Sequence, residues 1–381
     1  ERLLALLESD EITEREIDQT RNQGGLAHRS LPQQLLPVIS DKTRHAPTRR
    51  MAMEIAFACG CTDLAQDIVS IALDSAEKHD LRVHAAYVVA QSDDEKSKAA
   101  MKPLVSIGAT DDPGNALKRY ALHALWPNHI TITEVLRAIT PLPHDTWLGG
   151  YWAFLEYKLV PGVTPDDLPE ALAWLAQQHP KACESESFEH VFNQIMQKSV
   201  LHWQREDIRR AFAETAVHCL RHHKGFLNDT HGDSEAGALV SQNAECRRAL
   251  LAALVEATDD PDDSSWPLWM VQPELLRLDD VTWMIEQLNR CQDGIHRTSW
   301  SNLIWHAFRM ESVKQKNAAQ VDQIAVACKS NSELLERFKR LIEPVALDSD
   351  MARRAKEAFR EGPEITAKRS KGNTAPAPLE E

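Results

Sequence analysis

His218, Cys219, His222 and His223 are the densest group of metal-ligand side chains in the sequence. His218 and His222 stand four apart, which puts both imidazoles on one side of a helix. That is the spacing of a His-Glu-x-x-His metalloprotease, but Cys219 stands where the general-base glutamate belongs. Arg221 and Lys224 add positive charge that opposes a bound cation. The group reads as a basic helix end facing solvent or a partner. Cys59-x-Cys61 has one knuckle of a zinc site and no second pair at a usual distance, so the spacing predicts a core thiol and a turn residue. No Gly-x-x-x-x-Gly-Lys-Ser/Thr, Gly-x-Gly-x-x-Gly or Gly-x-Ser-x-Gly occurs, which removes the familiar phosphate loops and the nucleophile elbow. The Asp259–Asp263 run lacks the order of an EF-hand loop. We expect no catalytic residue, no cofactor and no metal.

Basic residues gather twice, at Arg44, His45, Arg49 and Arg50, and at Arg205, Arg209 and Arg210. On helical repeats such residues commonly pair with acids of the adjacent repeat. The sequence shows no aromatics interleaved with these arginines, so no stacking platform for bases is expected. With a net charge of −14 the chain repels nucleic-acid backbone and anionic membrane, leaving a protein as the expected partner. The expected partner-facing residues are Arg205, Arg209, Arg210, Arg221, His222 and Lys224.

The elements that position these residues follow from one phrase used three times. A basic residue is followed three positions later by alanine and then by an apolar stripe. Arg49 leads to Ala52, Ile55 and Ala56; Arg82 to Ala85, Val88 and Val89; Lys118 to Ala121, Ala124 and Leu125. The steps, 82 − 49 = 33 and 118 − 82 = 36 residues, suit one helical hairpin per repeat. The fold class is therefore all-α, an α-solenoid of HEAT-like helical hairpins. Gly60 predicts a helix stop. Asp80 and Asp167 predict helix caps. Pro103 predicts a kink or late start, and Trp126-Pro127 predicts the end of the third copy. Farther on, apolar spacing of i, i+3, i+4, i+7 persists while the phrase fades.

The expected organisation is a preceding helical segment over 1–25, HEAT-like repeats over 26–180, degenerate helical repeats over 181–345, and a terminal helix with disordered tail over 346–381. Scarce glycine (14) and no long β-branched runs argue against a sheet. Seven cysteines without framework spacing suggest reduced thiols and a cytoplasmic setting. Most of the ten tryptophans, among them Trp126, Trp174, Trp203, Trp283, Trp300 and Trp305, are expected in the core. No apolar run approaches 18 residues, so no membrane span is expected. The start at Glu1 points to a piece of a longer protein.

Lys118-Arg-Tyr-Ala-Leu-His-Ala-Leu-Trp-Pro127, Asp167-Leu-Pro-Glu-Ala-Leu-Ala-Trp174, Leu278-Asp-Asp-Val-Thr-Trp283 and Ser299-Trp-Ser-Asn-Leu-Ile304 follow in order. This succession resembles the C-terminal HEAT-like helical region of bacterial NACHT-type STAND ATPases, over about residues 40–310. The resemblance implies a sensor that binds a protein trigger, commonly a phage component, and relays the event to an adjacent NTPase module. The phosphate loop and effector of that family have no counterpart here, so none of its catalytic residues maps onto this chain. Two alternatives remain open: a helical-repeat nucleic-acid scaffold or HEAT-like DNA glycosylase, and a helical enzyme with an unrecognised acid pair or metal site.

Overall fold

The computed structural model describes residues 23–139, 151–178, 186–221, 235–259, 275–310 and 318–342. Among them every regular element is helical, and no helix is long and apolar enough to cross a membrane. The expected helix within 1–25, the polar loops near 228 and 260 and the terminal tail lie wholly or mostly outside the described residues. Contacts divide the chain into two units, residues 1–257 and 258–381.

In the first unit, α1 (Leu31–Ser40) packs on α2 (Ala46–Ala58), and α3 (Ala65–Leu73) on α4 (His79–Gln91). α5 (Glu95–Ala100) and a 3-10 turn, Lys102–Ser106, pack on α6 (Ala116–Leu125). The second helices of these hairpins also touch one another, α2 on α4 and α4 on α6. Alanine permits this. Ala52, Ala85 and Ala121 are completely buried, and alanine's methyl group lets packed helices approach closely. After α7 (Ile132–Ala138), α8 (Tyr151–Phe154) runs through a π turn, Leu155–Leu159, into α9 (Val160–Gly162). Next come α10 (Leu168–Ala176), α11 (Glu186–Val200), α12 (Glu206–Arg221), α13 (Glu235–Gln242) and α14 (Ala244–Glu256). In the second unit α15 (Val281–Arg290) packs on α16 (Gly294–Met310), and α17 (Ala318–Cys328) on α18 (Ser332–Ile342). Phe308 and Phe338 meet there with ring centroids 5.1 Å apart.

The basic residue of the phrase has a defined job. Arg49, the fourth residue of α2, sends Nε to the Ile39 carbonyl at 2.8 Å. Arg82, the fourth residue of α4, does the same to Ala72 at 3.2 Å. Ile39 and Ala72 lie in the last turns of α1 and α3, where carbonyls lack intrahelical donors. A cation there also meets the negative end of the helix dipole. The same device appears where the sequence phrase is no longer legible. Arg247, fourth in α14, reaches the Val240 and Ser241 carbonyls at 3.0 and 2.9 Å, and Arg297, fourth in α16, reaches Leu288 at 3.2 Å. Lys118 departs from the pattern. Its Nζ lies 3.5 Å from the Ala138 carbonyl, at the end of the following helix.

Arg49 does more. Its two terminal nitrogens bind both oxygens of Glu77, in the turn before α4, at 2.9 and 2.8 Å. Both side chains are almost fully buried. The guanidinium holds the Glu77 carboxyl below its ordinary pKa. An acid of the adjacent repeat thus partners the phrase's first arginine.

The stops and starts follow local chemistry. Gly60 takes φ +65° and closes α2: Cys61 N–H reaches the Ala56 carbonyl at 2.8 Å, and Gly60 N–H reaches Phe57 at 3.0 Å. Pro103 sits in the first turn of the 3-10 segment, the late start its missing donor favours. α6 ends at Leu125, immediately before Trp126-Pro127. Asp80 does not cap α4. The helix begins one residue earlier, and the Asp80 side chain stands out in solvent. Asp167 occupies the cap position of α10, but its carboxylate is spent on Thr164, whose amide and hydroxyl donate at 2.8 and 2.6 Å.

α6 is capped from a distance. Its cap residue, Asn115, has φ +58° and makes no capping bond with its side chain. The buried carboxylate of Asp112 instead accepts from the Leu117 and Lys118 amides at 3.0 and 2.9 Å, and lies 3.0 Å from His79 Nε2. Substituting Asp112→Ala strands both amides and should cost about 2 kcal/mol. Urea unfolding followed by circular dichroism measures it, with a loss under about 0.5 kcal/mol as the contrary result.

Candidate functional site

The arginines expected to meet a partner are placed unevenly. Arg205 precedes α12 and is held by two carboxylates. Nε and one Nη bind Asp207 at 3.2 and 2.6 Å, and the other Nη binds Asp166. These bonds raise its pKa further above the ordinary guanidinium value. Arg209 donates to the Trp203 carbonyl at 3.0 Å, a variant of the carbonyl-capping role. Arg210 is exposed on the same helix. Arg221 ends α12, and its side chain, with His222 and Lys224, lies outside the described residues.

The first basic cluster splits. Arg44 stays near Asp41, 3.7 Å away, and Arg49 turns inward. Arg50, one residue on and so about 100° around the helix, lines a cleft of about 290 Å³ with Asp80, Val83, His84, Tyr87 and Tyr120. The cleft is built from the outer faces of α2, α4 and α6, and the repeat register explains its composition. One residue past each phrase's basic residue stand Arg50, Val83 and Arg119. Two past it stand Met51, His84 and Tyr120. Five past it stand Glu54, Tyr87 and His123. Positions three apart on a helix share a face, so these residues, apart from Met51, which is buried in the core, form one stripe across α2, α4 and α6.

Within the stripe the contacts are ordered. Tyr87 and Tyr120 meet edge to face, with centroids 5.4 Å apart, and His84 lies 6.1 Å from Tyr87. The Arg119 guanidinium sits 4.2 Å from the centre of the Tyr120 ring, inside cation–π range. Its Nε is buried and has no hydrogen-bond partner. His84 Nε2 lies 3.4 Å from Glu54. Tyr87 is 38% exposed. Beyond Tyr120, His123 packs edge to face on Phe154 at 5.4 Å. Burial, then Lys158 and Arg119, push its pKa down to about 4, so it is neutral near pH 7.

Sequence reading expected no aromatics among the arginines, and the structure corrects this. Arg119 stacks on Tyr120, its own neighbour in α6, while Arg50 and Tyr87 come from α2 and α4; Tyr87 and Tyr120 are 120 − 87 = 33 residues apart. Aligning the three phrases and reading down the columns supplies the missing signal.

The other chemistry-bearing candidates resolve simply. Cys59 is not a core thiol. It follows α2 half-buried, as does Cys61 nearby, and burial raises both thiols above their ordinary pKa. Cys246 and Cys328 are buried, each pushed up to about 11. Among the described residues no group of three or more His, Cys, Asp or Glu is placed to hold a metal. His218 lies in α12 half-buried, while His222 and His223 lie outside the described residues. Trp126, Trp174 and Trp300 are core residues; Trp203, Trp283 and Trp305 are only half-buried. No protein-family model, curated protein or solved structure matches this chain.

Proposed function

We propose that this chain is a non-catalytic recognition and relay region. In this reading the hairpins form an α-solenoid of HEAT-like repeats that binds a protein trigger and passes the event to an adjacent NTPase module. A cytoplasmic, NACHT-type STAND ATPase of antiviral defence is the architecture we assign it to. The observation that carries the reading is the ledge on α2, α4 and α6, where arginine and tyrosine from successive repeats share one accessible face. A repeat array holds such a face rigid because each hairpin is braced by its neighbours. Binding there shifts a closed-to-open equilibrium only when the trigger prefers one state. The free thiols accord with a reducing compartment.

The purified chain is expected to show no ATPase, esterase, glycosidase or metal-dependent hydrolase turnover above buffer. Turnover that survives purification and vanishes on one substitution within the chain overturns the reading in favour of an enzyme. A nucleic-acid scaffold is the second reading, and the Arg119–Tyr120–Tyr87 contacts favour it. Glu54 and Asp80 in the same stripe, and the net charge of −14, oppose it.

A further inference from the structure

We infer that an apolar pocket between α2, α3 and α4 takes a lysine side chain presented by a protein partner, with the stem inside and the ammonium at an acidic rim. The inference rests on the recognition reading above and adds a second contact to it; the pocket shares no lining residue with the ledge.

Shape comes first. The pocket has a volume of about 120 Å³. Its floor is Ala56, Ala65, Ile68, Val88 and Val89, all buried. Phe57, at the end of α2, lines it while 42% exposed. The repeat register explains the hollow. Seven past each phrase's basic residue stand Ala56, Val89 and Leu125, so the first copy carries the smallest side chain at that position. An apolar cavity of about 150 Å³ takes benzene, so this one suits a stem of about four or five carbons. Lysine has such a stem, and it buries that stem on apolar surface while keeping its charge in water.

Charge comes second. Asp93, exposed, and Asp94 line the rim, and among the described residues no lysine, arginine or histidine lines the pocket. The nearest basic residues along the chain, Lys96 and Lys98, belong to α5, and Lys98 is held by Glu95 at 2.9 Å. α2 and α4 both end here, which adds the negative ends of two helix dipoles. The overall charge of −14 draws a cation in the same direction. Asp94 already caps α5, accepting from the Ser97 amide at 3.2 Å and from its hydroxyl. A planar guanidinium fork therefore lacks a full carboxylate pair to match, whereas a compact ammonium needs only Asp93 and the helix ends.

Saturation-transfer difference NMR of the full chain with N-acetyl-lysine N-methylamide tests the inference. Its Nε-acetylated form, N-acetyl-arginine N-methylamide and pentylammonium serve as comparison probes. The lysine probe should bind saturably and about threefold or more tightly than the Nε-acetylated and arginine probes. Asp93→Asn should weaken it about threefold, the scale of one exposed charge pair, and the reversal Asp93→Lys about tenfold. Ala65→Phe, which fills the pocket, should abolish binding, with helicity unchanged by circular dichroism. The exposed Asp93 position keeps the test decisive should Ala65→Phe disturb folding. No saturable binding of the lysine probe, or equal binding of its Nε-acetylated form, overturns the inference. Equal binding of the arginine probe overturns the choice of lysine. Binding of pentylammonium without the lysine probe overturns it in favour of a free amine. Binding that ignores all three substitutions overturns the pocket, yet leaves recognition at the ledge standing. Enzymatic turnover ends the recognition reading without touching the lysine result.

Discussion

Replacing Arg49 by methionine is expected to destabilise the first unit by about 3–5 kcal/mol. The substitution keeps the hydrophobic volume of the stem and removes the guanidinium. Glu77 is then left as a buried carboxylate with no cation, and the Ile39 carbonyl loses its donor. Most of the loss comes from that stranded charge. The double variant Arg49→Met, Glu77→Gln should therefore recover much of it, and urea unfolding of the four proteins of the cycle gives the coupling. A single substitution costing under about 1 kcal/mol would contradict the buried pair.

The same pair sets an acid dependence. Because the folded-state pKa of Glu77 is lowered, its contribution is fully present above the ordinary carboxyl range and is lost as pH falls through the folded value. The wild type should lose stability through this acidic window faster than the double variant. Parallel curves would remove Glu77 from the account.

Trp126→Ala is expected to cost about 3–5 kcal/mol, through loss of buried aromatic area. Trp126 Nε1 donates to the Lys158 and Leu159 carbonyls at 3.0 and 3.1 Å, inside the π turn that joins α8 to α9. A π turn displaces carbonyls from their usual helical partners, and here the residue that follows α6 supplies the donor. Lys198 supplies another, reaching Val160 at 3.0 Å. Trp126→Phe retains most of the area and loses only the donor, so it should cost less, about 1–2 kcal/mol. From the other side, a Cβ on Gly162 would lie 2.3 Å from Trp126 Nε1. Gly162→Ala should then cost about 1–3 kcal/mol by overpacking. Near-ultraviolet circular dichroism during unfolding would report the indole directly. Equal losses for the phenylalanine and alanine variants would mean that the hydrogen bonds, and not the packing, hold this junction.

The helical class, the alanine contacts and the stops at Gly60 and Trp126 were legible because each depends on residues close in sequence. Pattern and backbone preference suffice for those. Asp80 does not cap, because the cap position falls on Lys78, two residues earlier, and sequence pattern does not fix a helix start that finely. Asp112 escaped notice because it caps α6 through a turn containing the left-handed Asn115. The ledge was invisible for a different reason. Each of its members is unremarkable in its own helix, a single tyrosine or arginine on a solvent face. Only the stacking of repeats brings Tyr87 against Tyr120. The second basic group was noticed, but spacing along one helix could not reveal that Asp166, from an earlier turn, holds Arg205.

The reach of Arg49 back ten residues to Ile39, repeated by Arg82 to Ala72, bears on how the chain is born at the ribosome. Each helix end is sealed by the segment that emerges next, and little must wait for distant sequence. Synthesis from the first residue onward can therefore lay down hairpins one at a time, with low contact order and fast local closure. The Glu77 clasp, formed 28 residues after Arg49, then locks the first hairpin only once its successor has arrived.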